Sequence, residues 1–216
     1  MSGLWHYLSS NRDEIRGWAE TTIWLVTAPV AAGLLLALPV GWLASRYRRA
    51  YLPLVSVSGL LYTIPSLVLI LTLPGVLGTK ILDSLNVAVA LTIYAFALLT
   101  RAVADALSAV SPEILSAAAA MGQTGWQRLI GVQFPLAVPV IAAGLRVAAV
   151  SNVSLVTVAS IIGTQQLGQL FVAGENVGSL TPIALGLIFF IALALALDLA
   201  ILGAAAALSP WQRAAR

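Results

Sequence analysis

The sequence has little of what catalytic and metal sites are made of. Its 216 residues contain no cysteine and a single histidine, His6. Without cysteine, the chain has no thiol nucleophile, no disulfide framework and no iron–sulfur ligand. Charge is also scarce, because only 9% of the residues are Asp, Glu, Lys or Arg. A soluble domain carries about 25% charged residues, and disorder requires high charge with low hydrophobicity, so both classes are excluded.

What is abundant is apolar sequence, which makes up 60% of the chain. Six segments contain no Asp, Glu, Lys or Arg: 21–45, 50–79, 84–100, 129–145, 147–174 and 176–197. A helix needs about 20 mostly apolar residues to cross a bilayer, and these solid runs lack the alternation of a membrane barrel strand. The sequence therefore predicts an all-α integral membrane protein with five spans: 21–44, 54–77, 84–100, about 137–160 and 181–207.

The positions of the cations predict the orientation of the spans. Seven arginines flank one side of the predicted membrane: Arg46, Arg48, Arg49, Arg101, Arg128, Arg213 and Arg216. Because cationic flanks favour the cytoplasm, we expect a multi-pass protein of the bacterial inner membrane with its N-terminus outside and its C-terminus inside. The predicted parts are an interfacial or periplasmic segment over 1–20, a transmembrane domain over 21–208 and a cytoplasmic tail over 209–216. This topology accounts for the excess of basic over acidic residues, so that excess does not indicate a nucleic-acid partner.

The longest polar connection, residues 101–136, carries a strong helix start signal. Ser111 suits the cap, Pro112 the first helical position and Glu113 the first turn. An alanine-rich run with high helix propensity follows. Gly122 is placed to end this helix, because glycine adopts the left-handed conformation at low cost.

A second short helix is predicted at about 124–133, stopping before Pro135. We call residues 111–133 the elbow. Its alanines allow close backbone approach by a partner, and Met121 and Trp126 offer apolar anchors. We expect this connection to lie in the cytoplasm and to dock another protein.

The elbow resembles the EAA-loop signature of type I ABC importer permeases. The similarity rests on Ala117-Ala118, on Gly122 and on the downstream run FPLAVPVIAAGLR. The whole stretch SPEILSAAAAMGQTGWQRLIGVQFPLAVPVIAAGLRVA is similar to permeases for osmoprotectants such as glycine betaine, choline, carnitine or proline betaine. Further matches to that subfamily are Thr63-Ile64-Pro65-Ser66, Thr157-Val158-Ala159-Ser160-Ile161-Ile162-Gly163 and Leu167-Gly168.

Two positions depart from that family's pattern. Ser116 stands where the Glu-Ala-Ala triplet has its glutamate, so the contact made by that carboxylate is missing or replaced. Thr164-Gln165-Gln166 replaces the usual run of glycines in the external loop.

The resemblance implies the type I importer transmembrane fold and a set of partners. These are ABC ATPase subunits, a second permease subunit, a substrate-binding protein on the outer face and membrane lipid. The chain itself is not expected to be an enzyme or to bind a cofactor or metal, with ATP and Mg on the ATPase. The single lysine, Lys80, lies in GVLGTKIL, whose glycine spacing does not match a phosphate-binding loop.

Candidate functional residues fall into three groups. Those expected to contact the ATPase are Ser116, Ala117, Ala118, Met121, Gly122, Gln123, Thr124 and Trp126. Those expected along the translocation path are Tyr62, Pro65, Asn152 and Thr157. Arg146 and Asp198 are intramembrane charges at similar depth, which either pair with each other or leave Arg146 extending to the headgroups.

Two other functions remain open from the sequence. One is a permease of the same superfamily for methionine or another amino acid. The other is a self-sufficient channel or secondary transporter, which would carry internal repeats; no such repeat is found.

Overall fold

A computed structural model describes residues 2–211, and within this range all regular structure is helical. The ten α-helices are α1 (Ser2–Ser10), α2 (Arg12–Arg46), α3 (Arg48–Thr63), α4 (Ser66–Leu77), α5 (Ser84–Ser108), α6 (Pro112–Ala120), α7 (Gly125–Arg128), α8 (Phe134–Val156), α9 (Gln169–Asn176) and α10 (Leu180–Leu208). A π-helical turn over Leu129–Gln133 joins α7 to α8, and a 3₁₀ turn over Thr157–Ser160 follows α8.

Four continuous helical segments are long and apolar enough to cross a membrane: α2, α5, the segment Gly125–Ser160 and α10. Helices α3 and α4 meet at an angle of 98°, and together they are long and apolar enough to form a fifth crossing or a re-entrant loop. The sequence predicted one span over 54–77, and in the structure this region is two helices that are separated at Ile64 and Pro65. Pro65 has no amide hydrogen to donate and disfavours the helical conformation at Ile64. Both residues adopt extended backbone, with ψ of 129° and 131°.

The first long helix begins before the predicted span over 21–44. Residues 12–20, which belong to the predicted interfacial or periplasmic segment over 1–20, are continuous with α2. Asp13 and Glu14 in the first turn favour a helix start at this point. At 35 residues, α2 is about 52 Å long and exceeds the hydrocarbon core of about 30 Å. Of the predicted tail over 209–216, residues 212–216 lie outside the described part of the chain.

Small residues allow α5 to pack closely between α2 and α8. A Cβ atom added at Gly33 of α2 would lie 2.6 Å from the Ala95 Cβ of α5. One added at Gly144 of α8 would lie 2.5 Å from the Ala102 Cβ. Such close backbone approach is the usual basis of helix association in membranes. Helix α5 therefore packs against both α2 and α8, which positions the connection between α5 and α8.

Candidate functional site at the Gly122 elbow

Helix α6 begins as the sequence predicts. The Ser111 Oγ accepts a hydrogen bond from the Glu113 amide at 3.3 Å, and Pro112 occupies the first helical position. The Ser111 hydroxyl also donates to the Glu113 carboxylate. This hydrogen bond, with a smaller contribution from the backbone, holds the pKa of Glu113 below its ordinary value. An ionised carboxylate therefore sits in the first turn, where it stabilises the helix.

The end of α6 is a Schellman motif centred on Gly122. The Gln123 amide donates to the Ala118 carbonyl at 3.2 Å, and the Gly122 amide donates to the Ala119 carbonyl at 3.0 Å. Gly122 has φ of +80°, which a side chain with a Cβ adopts only with strain. The direction of the chain after α6 therefore depends on glycine at this position.

The next helix is fixed by a capping box. The Thr124 Oγ1 accepts from the Gln127 amide at 3.3 Å, and the Thr124 amide donates to the Gln127 Oε1 at 2.9 Å. These reciprocal bonds satisfy two amide donors at the start of α7. Together with the Schellman motif, they define the angle of the elbow by hydrogen bonds on both sides of the turn.

The second elbow helix does not stop before Pro135, and that prediction is wrong. The helix continues through the π turn into α8, with the Phe134 amide bonded to the Leu129 carbonyl five residues earlier. A proline in an ordinary helix clashes with the carbonyl four residues before it, and the wider turn accommodates Pro135 without a break. The elbow is therefore joined to the fourth span by continuous helix.

The elbow presents apolar side chains outward. Met121 is 74% exposed and Trp126 is 65% exposed. Ser116, at the position of the missing glutamate, donates its hydroxyl to the Pro112 carbonyl within α6. Ala118 is buried, unlike its exposed neighbour Ala117, and it faces the protein rather than a partner.

The two intramembrane charges are in contact. The Arg146 Nε lies 2.5 Å from the Asp198 Oδ1, and the Arg146 Nη2 lies 2.9 Å from the Asp198 Oδ2. This bidentate pair joins α8 to α10, so Arg146 does not extend towards the headgroups. An ion pair of this geometry neutralises both charges at membrane depth.

The break between α3 and α4 is closed by a residue that the sequence did not single out. The Tyr94 hydroxyl of α5 donates to the Ile64 carbonyl, which the break leaves without a helical partner. The Tyr62 ring packs edge-to-face on Tyr94, with ring centroids 5.7 Å apart. The only sequence signal for Tyr94 is a polar-tipped aromatic in the middle of an otherwise apolar span. Tyr62 and Pro65 thus lie together at an exposed bend.

The other two path candidates lie elsewhere. Asn152 is 1% exposed, and its amide donates to the Leu91 carbonyl at 3.3 Å, which ties α8 to α5. The Thr157 hydroxyl, in the 3₁₀ turn, donates to the Ser154 carbonyl near the end of α8. In this conformation, Asn152 does not face open space.

The connection after α8, which the sequence places on the external side, is built by the glutamines that depart from the family pattern. Gln166 is fully buried, donates to the Val156 carbonyl at 3.2 Å and accepts from the Gly168 amide at 2.7 Å. Gln165 accepts a hydrogen bond from the Trp18 indole at 3.0 Å. Side-chain hydrogen bonds therefore shape this loop, where a run of glycines would rely on backbone freedom.

Comparison with known proteins agrees with these features. Residues 24–214 match the family described as binding-protein-dependent transport system inner membrane component. The osmoprotectant import permease protein OsmW of Salmonella typhimurium is 30% identical over 196 residues, covering 89% of this chain and 91% of that protein. The choline transport system permease protein OpuBD of Bacillus subtilis is 32% identical over 188 residues, covering 85% and 82%.

The fold also has solved counterparts. An inward-facing conformation of the MetNI methionine ABC transporter superposes with a TM-score of 0.83 at 19% identity, covering 93% of this chain and 98% of that one. An amino acid ABC transporter crystallised with histidines gives a TM-score of 0.74, also at 19% identity, over 90% of this chain and 94% of that one. At such identity, the likeness is one of fold.

Proposed function

The chain belongs to the family of binding-protein-dependent transport system inner membrane components, and we propose that it forms the membrane path of an importer for osmoprotectants. Members of this family work with an ABC ATPase and a substrate-binding protein. The proposed solutes are glycine betaine, carnitine, choline or a related quaternary ammonium compound, as the names of similar permeases suggest. ATP and magnesium bind the ATPase chain, and a second permease subunit completes the path.

The observation that carries this proposal is the hydrogen-bonded elbow with its exposed Met121. The elbow docks in a groove of the ATPase as a short helix with an apolar anchor. Because α7 continues through the π turn into α8, a displacement of the elbow moves the fourth span as one body. ATP-driven closure of the ATPase can then shift the permease between two states, provided that it binds those states with different affinity.

The proposed orientation places the elbow in the cytoplasm and the N-terminus outside. The arginines at the elbow-side ends of the spans, such as Arg46, Arg101 and Arg128, support this arrangement. The binding protein then delivers solute on the side of the Gln165–Gln166 loop.

The bend between α3 and α4 is the proposed contact for solute within the membrane. Tyr62 is 39% exposed beside Pro65, and an aromatic ring attracts a quaternary ammonium group through its electron-rich face. Thr157 and Asn152 remain secondary candidates, and Asn152 requires a second conformation in which it is exposed.

The proposal is tested by uptake into proteoliposomes that contain the permease, its ATPase and its binding protein. With ATP inside the vesicles, we expect labelled glycine betaine, carnitine or choline to accumulate, and methionine not to. Removing ATP or the binding protein should stop accumulation. Accumulation of methionine in place of the quaternary ammonium compounds would contradict the proposed solute class. Accumulation without any ATPase would contradict the importer itself.

A further inference from the structure

A basic cavity lies between the end of α2 and the elbow. Its volume is about 640 Å³, within the range of about 300–1,000 Å³ that is common for ligand sites. Arg46 of α2 and Arg128 of α7 line it, and none of the described residues lining it is acidic. We call this cavity the basin. Its charge fits an anion, and guanidinium groups bind phosphate oxygens in a bidentate manner.

The basin adjoins an apolar groove of about 500 Å³. The two share Trp42, Trp126 and Leu129, and the groove continues along α2 to Leu38. Leu38 lies eight residues before Arg46, which is about 12 Å along a helix. In the proposed orientation Arg46 lies at the headgroup level, and the groove then reaches the depth of the hydrocarbon chains.

A second apolar groove branches from the first. It has a volume of about 340 Å³, shares Leu38 and Phe134 with the first groove, and runs between α8 and α10. The cationic basin and the two apolar grooves are complementary to a lipid with an anionic headgroup and two acyl chains.

We propose that the basin and its grooves bind an anionic phospholipid of the inner leaflet, with its phosphate between Arg46 and Arg128. Basic pockets between membrane helices on the cytoplasmic side are suited to anionic headgroups. Two tryptophans at the mouth of the groove occupy the level that amphipathic rings prefer. A carboxylate of the ATPase would satisfy the arginines but would leave the grooves unfilled, so the lipid is the better fit.

This site does not depend on which solute is carried, but it rests on the proposed orientation and role of the elbow. The basin has α2 on one side and α6 with α7 on the other. A lipid held there contacts both α2 and the elbow, whose movement relative to the span is part of the proposed function. Binding of the lipid therefore depends on the position of the elbow.

The test uses the permease purified with its ATPase and exposed to phosphatidylglycerol and phosphatidylcholine with identical chains. Native mass spectrometry counts the retained lipids. We expect the wild-type complex to prefer phosphatidylglycerol. Each arginine near a membrane surface contributes about fivefold in affinity for anionic lipid. Arg46→Gln or Arg128→Gln should therefore weaken the preference about fivefold, and the double variant about 25-fold.

The matched control is Arg49→Gln, which removes one charge from the exposed first turn of α3, outside the basin. This variant should keep the preference. The charge-preserving pair Arg46→Lys with Arg128→Lys should keep part of it, because lysine retains the charge but loses the bidentate geometry. Trp126 is left unchanged because it is a candidate contact for the ATPase as well. Soluble glycerol phosphate should not displace phosphatidylglycerol, because it has no chains to fill the grooves.

Several results would overturn the site. An equal loss in Arg49→Gln would show a diffuse surface potential, and displacement by glycerol phosphate would show an anion site without chains. Loss of the ATPase with retention of lipid in the double variant would assign the basin to the ATPase. If the glutamine variants do not fold, the wild-type complex still decides, since no preference for phosphatidylglycerol contradicts the proposal.

Discussion

Replacing Gly122 by valine is expected to weaken association with the ATPase by about tenfold or more and to stop ATP-driven uptake. At φ of +80°, a residue with a Cβ costs about 1–2 kcal/mol, and β-branching adds to that cost. The chain can relieve this strain by giving up the bonds from Gly122 and Gln123 to the end of α6. Either outcome changes the angle at which α6 meets α7. The measurement is co-purification of the ATPase in mild detergent, together with uptake into proteoliposomes.

Two control variants separate the conformation at Gly122 from the loss of a glycine in general. Gly122→Asn should retain much of the association, because asparagine adopts the left-handed conformation more readily than other residues. Gly203→Val places the same side chain on α10, where an added Cβ meets nothing within 4 Å. That variant should bind the ATPase normally. If Gly122→Val behaves like Gly203→Val, the elbow does not depend on this turn.

Breaking the Arg146–Asp198 pair is expected to destabilise the permease more than removing it altogether. Arg146→Ala leaves the Asp198 carboxylate without its partner at membrane depth, and Asp198→Ala leaves the guanidinium. An uncompensated charge there is costly, whereas a pair replaced by apolar side chains of similar volume leaves no charge behind. The double variant Arg146→Met with Asp198→Leu should therefore unfold at a higher temperature than either single variant.

The readout for this pair is thermal unfolding in detergent and in lipid nanodiscs. Arg146→Lys serves as the control, since it keeps the charge but loses the bidentate geometry; its unfolding temperature should fall between those of the wild type and Arg146→Ala. If the double variant is no more stable than the singles, the two side chains do not act as a pair. A result in which Asp198→Ala alone is neutral would lead to the same conclusion.

The elbow was predictable because its signals are local. Ser111 at the cap, Pro112 in the first turn and Gly122 at the end each act within one turn of helix, and the structure has α6 at Pro112–Ala120. That the long apolar segments are helices able to cross a membrane was predictable for a similar reason. The length and polarity of a segment are themselves local properties of the sequence. The family resemblance rested on these same residues and on the run after them.

The features that sequence reasoning missed or left open depend on how helices pack. The similar depths of Arg146 and Asp198 follow from spacing along their helices, but contact between them requires the right faces of α8 and α10 to meet. The Tyr94 hydroxyl closes the break at Ile64 only because α5 lies beside it. Pro135 was expected to end a helix, and the π turn that accommodates it has no separate sequence signal.

The central claim is that the elbow lies inside the cell and contacts the ATPase, and cysteine labelling at Met121 tests it most directly. The natural chain has no cysteine, so Met121→Cys gives a single thiol on a side chain that is 74% exposed. With a photo-crosslinker attached, the thiol is predicted to crosslink to the ATPase, and in intact cells to resist a membrane-impermeant maleimide. Labelling of intact cells, or crosslinking to the substrate-binding protein in place of the ATPase, would contradict the account.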